Sequence, residues 1–382
     1  MKDHYRIVIV ADTHIGAERR PWLRKLGVTA EQYDRPFNEA FEWADNNDAD
    51  LTIVAGDLYH SRSPLPNDYR RTKTILNWVR NRLIIAGNHD IGMAGDIDAL
   101  WSEVTVARGK PSVFTFASPT NAMQVLTLPW PRPTDYTHGP HVQTIEEEIE
   151  STRRNTLQHL EAIAQNDLNP DRPAILVGHA MVAYGNTTPD DPGLLLGKDV
   201  VLPYESLTSL PNIGGVYLGH VHDPSSPAYV GSTQPTDWSE GDQVKSFTVV
   251  NIWSHGDAWV YEARQIPYAT SLKLATVSND DYELAGDYDG VRLTWTVREG
   301  DDPEQLAIAE RALRDQQSYV EVIVEHEVKR AARVETIEPL AKMSPMDALG
   351  VWLEQRETPS GDRKAVETMA HEVIRETAFY DG

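Results

Sequence analysis

Six of the 13 histidines sit where a short apolar run ends, together with three aspartates and an asparagine. Residues 7–11 run into Asp12-Thr13-His14, and residues 51–55 into Gly56-Asp57-Leu58-Tyr59-His60. Residues 83–86 lead to Gly87-Asn88-His89-Asp90, residues 174–177 to Gly178-His179, and residues 216–218 to Gly219-His220-Val221-His222. Taken singly, each block is an ordinary strand-end turn or helix cap. Taken together they gather imidazole, carboxylate and amide donors, which suit Mn, Fe or Zn. The set is too rich in nitrogen for a calcium or magnesium cage. It also holds more donors than one ion takes. Because a carboxylate can bridge two ions, the chemistry indicated is that of a two-metal site.

The elements that must position these residues are buried parallel strands, since apolar runs of this length with no polar alternation are covered on both faces. Helices are expected between them over residues 31–46, 67–80 and 144–165. In such α/β arrangements a site forms outside the carboxyl ends of the strands. The glycines at these ends permit sharp turns and close backbone approach.

Composition sets outer limits. The chain has 382 residues, room for more than one domain, and a formal charge of −23, which argues against holding nucleic acid by its bulk field. Cysteine is absent, which excludes disulfides, thiolate zinc sites and cysteine nucleophiles. The opening residues lack a signal-peptide plan, and no apolar stretch is long enough to span a bilayer, so a cytoplasmic protein without membrane contact is expected.

At the five blocks the chain resembles the calcineurin-like metallophosphoesterases, whose pattern is Asp-x-His, Gly-Asp, Gly-Asn-His-Asp/Glu, Gly-His and Gly-His-x-His. The continuation Gly56-Asp57-Leu58-Tyr59-His60-Ser61-Arg62, and the later Tyr229-Val230-Gly231-Ser232 with Glu240 downstream, resemble the SbcD-type DNA nucleases of double-strand-break repair. The fold implied is α/β: a four-layer αββα sandwich of two mixed sheets, with a small α/β cap and a C-terminal helix–loop–helix. The activity implied is a Mn-dependent DNA exonuclease and endonuclease, in which a water activated by two metal ions attacks phosphorus.

The resemblance gives one metal to Asp12, His14, Asp57 and His222, and the other to Asp57, Asn88, His179 and His220. Mn is the expected ion, with Fe or Zn as alternatives. His89 becomes the general acid, His60 positions the scissile phosphate, and Asp90 orients His89. Thr13 stands where the family carries Trp, Tyr59 where Phe is usual, and Asp223 where a basic residue is common.

Past the blocks the pattern changes near residue 266. Residues 291–298 and 319–325 alternate as half-buried strands, and Pro303 opens a helix behind Asp302 as N-cap, with Leu306, Ile308, Ala309, Ala312 and Leu313 at helical spacing. A strand–helix–strand unit of this size is a small second domain, and the resemblance implies three in all: a catalytic domain over 1–265, a DNA-binding cap over 266–338, and a helix–loop–helix over 339–382. In the last, Ser344-Pro345 starts a helix with Met346, Leu349 and Leu353 on one face, and a second stripe runs from Val366 to Ile374. The resemblance makes this segment the dock for an SbcC-like coiled-coil ATPase, with DNA as substrate and a homodimer as the working unit. Two basic stretches, 16–27 and 61–82, are candidates for a rim that binds DNA locally. The competing readings are a phosphodiesterase for small esters such as cyclic nucleotides, and a non-catalytic DNA-end scaffold.

Overall fold

The computed structural model describes residues 4–90, 104–117, 122–136, 145–184, 199–256, 258–279, 282, 286–298 and 302–326. The helix–loop–helix expected over 339–382 lies outside them. Strands β1 (His4–Val10), β2 (Leu51–Ala55), β3 (Arg82–Ile85) and β4 (Thr105–Ala107) are followed by β5 (Ser112–Ala117), β6 (Ala122–Leu128), β7 (Ala174–His179), β8 (Met181–Ala183) and β9 (Val201–Pro203). Then come β10 (Val216–Gly219), β11 (Ser246–His255), β12 (Ala258–Pro267), β13 (Leu274–Ser278), β14 (Gly290–Val297) and β15 (Val320–His326). The helices are α1 (Pro21–Lys25), α2 (Ala30–Asn46), α3 (Pro66–Leu76), α4 (Ile145–Asn166), α5 (Tyr204–Thr208) and α6 (Pro303–Gln316).

All five strands expected to carry the blocks are present. The first sheet has the order β12-β11-β1-β2-β3-β4, and the second β10-β7-β6-β5. Strands β1, β2, β3 and β4 run parallel, as do β6, β7 and β10, so their polar ends emerge together. The alternation of side chains sorts the residues into layers. Ile7, Ile9, Ile53 and Ile85 of the first sheet meet Val125, Ile175 and Val177 of the second. On the other face of the first sheet, Val8, Val10 and Val54 pack against Phe37, Phe41 and Ile75 of α2 and α3. On the outer face of the second, Leu126, Leu176 and Leu218 pack against Leu160 and Ile163 of α4. The result is the expected αββα sandwich. Each such side chain, withdrawn from water, contributes about 1.5–3 kcal/mol.

One boundary differs from expectation. Helix α3 stops at Leu76 rather than near residue 80. Arg82 Nη1 donates to the carbonyls of Leu76 and Val79 at 2.8 and 2.9 Å, closing the helix end and turning the chain into β3. Strand β11 runs for ten residues, and β12 pairs along its whole length. A third sheet, β13-β14-β15, carries α6 on one face. Asp302 caps α6 through Glu304 N, and Ala309 and Leu313 are buried, but Ile308 faces solvent at 60% exposure. It stands one residue, about 100° of helix rotation, off the packed stripe.

The basic stretches also differ from expectation. Arg19 is held bidentately by Asp68, with both contacts under 3 Å. Arg71 contacts Asp68, Glu18 and Asp34 at 2.9, 3.1 and 2.8 Å. Arg71 therefore ties α3 to α2 through Asp34, and Arg19 is bound to the start of α3, so neither is a free rim cation. Three carboxylates share two guanidinium groups. Asp34 carries the deficit: burial, with Glu18 and Asp68 nearby, pushes its carboxyl up to about 7 against the pull of Arg71. A raised folded-state pKa means that stability is lost as pH rises toward 7. Asp34→Asn should therefore gain on the order of 1 kcal/mol over the parent at pH 8 in urea unfolding, with the gain fading at pH 5.

Candidate metal centre

The parallel strand ends deliver the blocks to one place. The backbone of the first two is locked together: Asp12 N donates to Gly56 O at 3.1 Å and His14 N to Asp57 O at 3.0 Å. Asp12, His14, Asp57 and His220 all adopt positive φ, a conformation that costs non-glycine residues about 1–3 kcal/mol and clusters at functional sites. Two glycines make room. A Cβ on Gly56, itself at φ +88°, would lie 2.1 Å from His179 Nδ1, and one on Gly87 would lie 2.2 Å from Asp57 Oδ1.

The donor atoms converge in overlapping groups. Asp12, His14 and His222 form one, Asp12, Asp57 and His179 a second, and His14, His60 and His89 a third, each with its potential ligand atoms within 4.8 Å of one another. His222 Nδ1 donates to Glu240 Oε1 at 2.9 Å, which leaves its Nε2 lone pair facing His14 Nε2 at 3.1 Å. His14 Nδ1 is buried without a partner. His179 Nδ1 donates to Ala55 O at 2.9 Å, so its Nε2 faces Asn88 Oδ1 at 3.0 Å and Asp57 Oδ1 at 3.5 Å. His220 Nδ1 lies 3.3 Å from the same Asn88 oxygen. Acceptors facing acceptors is an arrangement that a cation resolves, and the donors are the nitrogen–oxygen mixture suited to Mn, Fe or Zn.

The electrostatics agree. Burial favours the neutral form of Asp57, yet His179, His14 and His89 outweigh it and hold the carboxylate well below its usual range. Burial opposes charge on His179 too, but Asp57 and Asp12 push it up to about 9, so a proton at its Nε2 takes the place that a metal cation would fill. His14 is held well below the imidazole range, chiefly by burial, and so offers the neutral form that binds metal. All seven residues expected to hold metal are therefore together: Asp12, His14, Asp57, Asn88, His179, His220 and His222.

The three remaining residues divide. His60 and His89 stack at 5.7 Å, and His89 Nδ1 donates to His60 O at 2.7 Å. Asp90 does not orient His89. Its buried carboxylate accepts the backbone N–H groups of Gly87, Leu58 and Tyr59 at 3.0, 3.2 and 3.3 Å. It pins the second block to the third, because three turn amides in a dry site need one acceptor.

The family model for calcineurin-like phosphoesterase matches residues 5–224, more than half of the chain and all five blocks. The chain belongs to the calcineurin-like phosphoesterases. It is similar to the DNA double-strand break repair protein Mre11 of Archaeoglobus fulgidus, 32% identical over 87 residues. That match covers 21% of this chain and only 18% of the relative's length. Among solved structures, a dimetal phosphatase from Danio rerio aligns at 13% identity and TM-score 0.39, over 69% of this chain and 99% of its own. The calcineurin-like phosphoesterase YfkN from Bacillus subtilis aligns at 12% identity and TM-score 0.40, over 70% and 91%. No helix among the described residues is long and apolar enough to cross a membrane.

As a phosphoesterase site, it includes partners that no block contains. Glu240 accepts His222 Nδ1–H, Thr236 Oγ1–H at 2.7 Å and Lys245 Nζ at 2.6 Å. Burial would raise its carboxyl, but His222 and Lys245 hold it well below the usual range. Trp130 lies 4.6 Å from the His220 ring and 5.9 Å from that of His179. Its signal was present in the sequence, since Trp130 follows β6 just as the blocks follow their strands. Glu240→Gln should weaken divalent-metal binding about 10–100-fold in calorimetric titration of metal-stripped protein; unchanged affinity would remove Glu240 from the metal's support.

Proposed function

We propose that this phosphoesterase is a Mn-dependent DNA nuclease, the SbcD-like subunit of a complex with an SbcC-like coiled-coil ATPase docked through residues 339–382, active as a homodimer. The observation that carries this reading is the His60–His89 pair beside the ligand cluster. Its His60 comes from the nuclease-like extension of the second block, and its His89 from the third. The similarity to a double-strand break repair protein over 87 residues supports the same branch.

Metal ions held by Asp12, His14, Asp57 and His222, and by Asp57, Asn88, His179 and His220, would supply a polarised water nucleophile and offset charge at phosphorus. The chain's own residues do the rest. Donation from Nδ1 to His60 O fixes the His89 ring and leaves Nε2 as its reactive nitrogen, 3.9 Å from Asp57 Oδ2. The His89 side chain is 35% exposed, so a substrate oxygen can reach it. Its role is to carry a proton to the leaving oxygen. The ring of His60 accepts Arg20 Nε–H at 3.2 Å, and burial, with Arg20 alongside, pulls its pKa down to about 4. His60 is therefore a neutral group beside His89, and its role is to position the scissile phosphate.

Incubation with linear and hairpin DNA plus Mn tests this. The parent should cut, and His89→Ala should fall at least about a hundredfold while still binding two ions by calorimetry. A parent that turns over a cyclic nucleotide but never DNA would replace the nuclease reading with that of a small-ester phosphodiesterase.

A further inference from the structure

Of the ten cations in the two basic stretches, four are engaged elsewhere. Arg19 and Arg71 are held by carboxylates, Lys25 lies 3.8 Å from Glu321, and Arg82 closes α3. Arg20 is different. It directly precedes α1 and is half-buried, and its contacts are with neutral groups: Nε donates to His60 Nε2 at 3.2 Å and Nη1 to Thr236 O. No carboxylate pairs with it among the described residues. A guanidinium has five N–H donors in a rigid fork, so three are left for another acceptor. The group is tied into the site from both sides. His60 stacks on His89, and Thr236 hydrogen-bonds to Glu240, the partner of His222. His60 Nε2 accepts from Arg20 and is thereby the unprotonated nitrogen, so the fixed positive charge at this edge belongs to Arg20.

We propose that Arg20 forms a second phosphate subsite, gripping a phosphate next to the one being hydrolysed and so favouring a chain of phosphodiesters over a lone ester. A planar fork without a carboxylate partner matches phosphate bidentately, and such charge-assisted bonds are strong enough to select. The inference deepens the nuclease reading and rests on it.

The test compares a thymidine dinucleotide, which has one phosphate, with the trinucleotide, which has two, using the full chain and Mn. The parent should prefer the trinucleotide in kcat/KM. Arg20→Gln should cut that preference about tenfold through KM, whatever it does to the rate common to both, and Arg20→Lys should keep part of it, having the charge without the fork. If Arg20 only braces His60 and the Thr236 loop, both substrates suffer equally in Arg20→Gln and the ratio is unchanged, which overturns the subsite. If neither nucleotide is cut, both are read as inhibitors of bis(p-nitrophenyl) phosphate hydrolysis. Stronger inhibition by the trinucleotide in the parent alone keeps the subsite and removes only the nuclease reading. Equal inhibition, or none, removes both.

Discussion

Two carboxylates sit in dry surroundings at the ends of neighbouring parallel strands, and the rest of the molecule answers them. Asp12 and Asp57 are about 1% and 3% exposed. Charges so buried are expensive unless paired. Their partners come from the other sheet: His179 at the end of β7, and His220 and His222 just past β10. Asp12 also takes the His220 backbone N–H into both carboxylate oxygens, at 3.1 and 3.0 Å. The electrostatic requirement thus fixes how one sheet lies on the other. Hydrophobic packing between Ile9, Ile53, Val125 and Val177 tolerates small slips; the contact of His179 with Ala55 O and Asp57 does not.

The ligand set was legible because metal chemistry restricts residue type and the fold restricts place. An Asp, His or Asn just after an apolar strand is readable from spacing alone. The partners that act through another side chain were not. Glu240 stands 18 residues from His222, and Lys245 five further on, with only a resemblance to mark the glutamate. Arg19 and Arg71 read as surface charge because their carboxylate, Asp68, is 49 residues from the first and three from the second. Only the fold reveals that one aspartate holds both. Asp90 was misread for the opposite reason. It adjoins His89 in sequence, but adjacent residues on a tight turn point apart, and its carboxylate is taken by three amides instead.

The left-handed backbone at Asp12, His14, Asp57 and His220 shows what the site demands of its scaffold. Four unfavourable conformations persist because backbone hydrogen bonds between the first two blocks, and from His220 N to Asp12, over-determine them. Side-chain identity and backbone shape are set jointly here, which is why glycine accompanies four of the five blocks.

The short turn Trp238–Glu240 serves two neighbourhoods. Its glutamate steadies His222, while its tryptophan lies 5.5 Å from the Trp22 ring and 4.8 Å from the Arg292 guanidinium of β14. A Cβ on Gly290 of the same strand would meet Leu26 and Trp238 at 2.4 and 3.0 Å. The change of sequence character near residue 266 reads as a seam between independent modules. The tryptophans argue otherwise. A truncation there would strip Trp238 of its cover, expose an aromatic patch to water, and loosen from behind the turn that aims a histidine into the centre. The third sheet is better regarded as a wall of the catalytic body than as an accessory bolted to it.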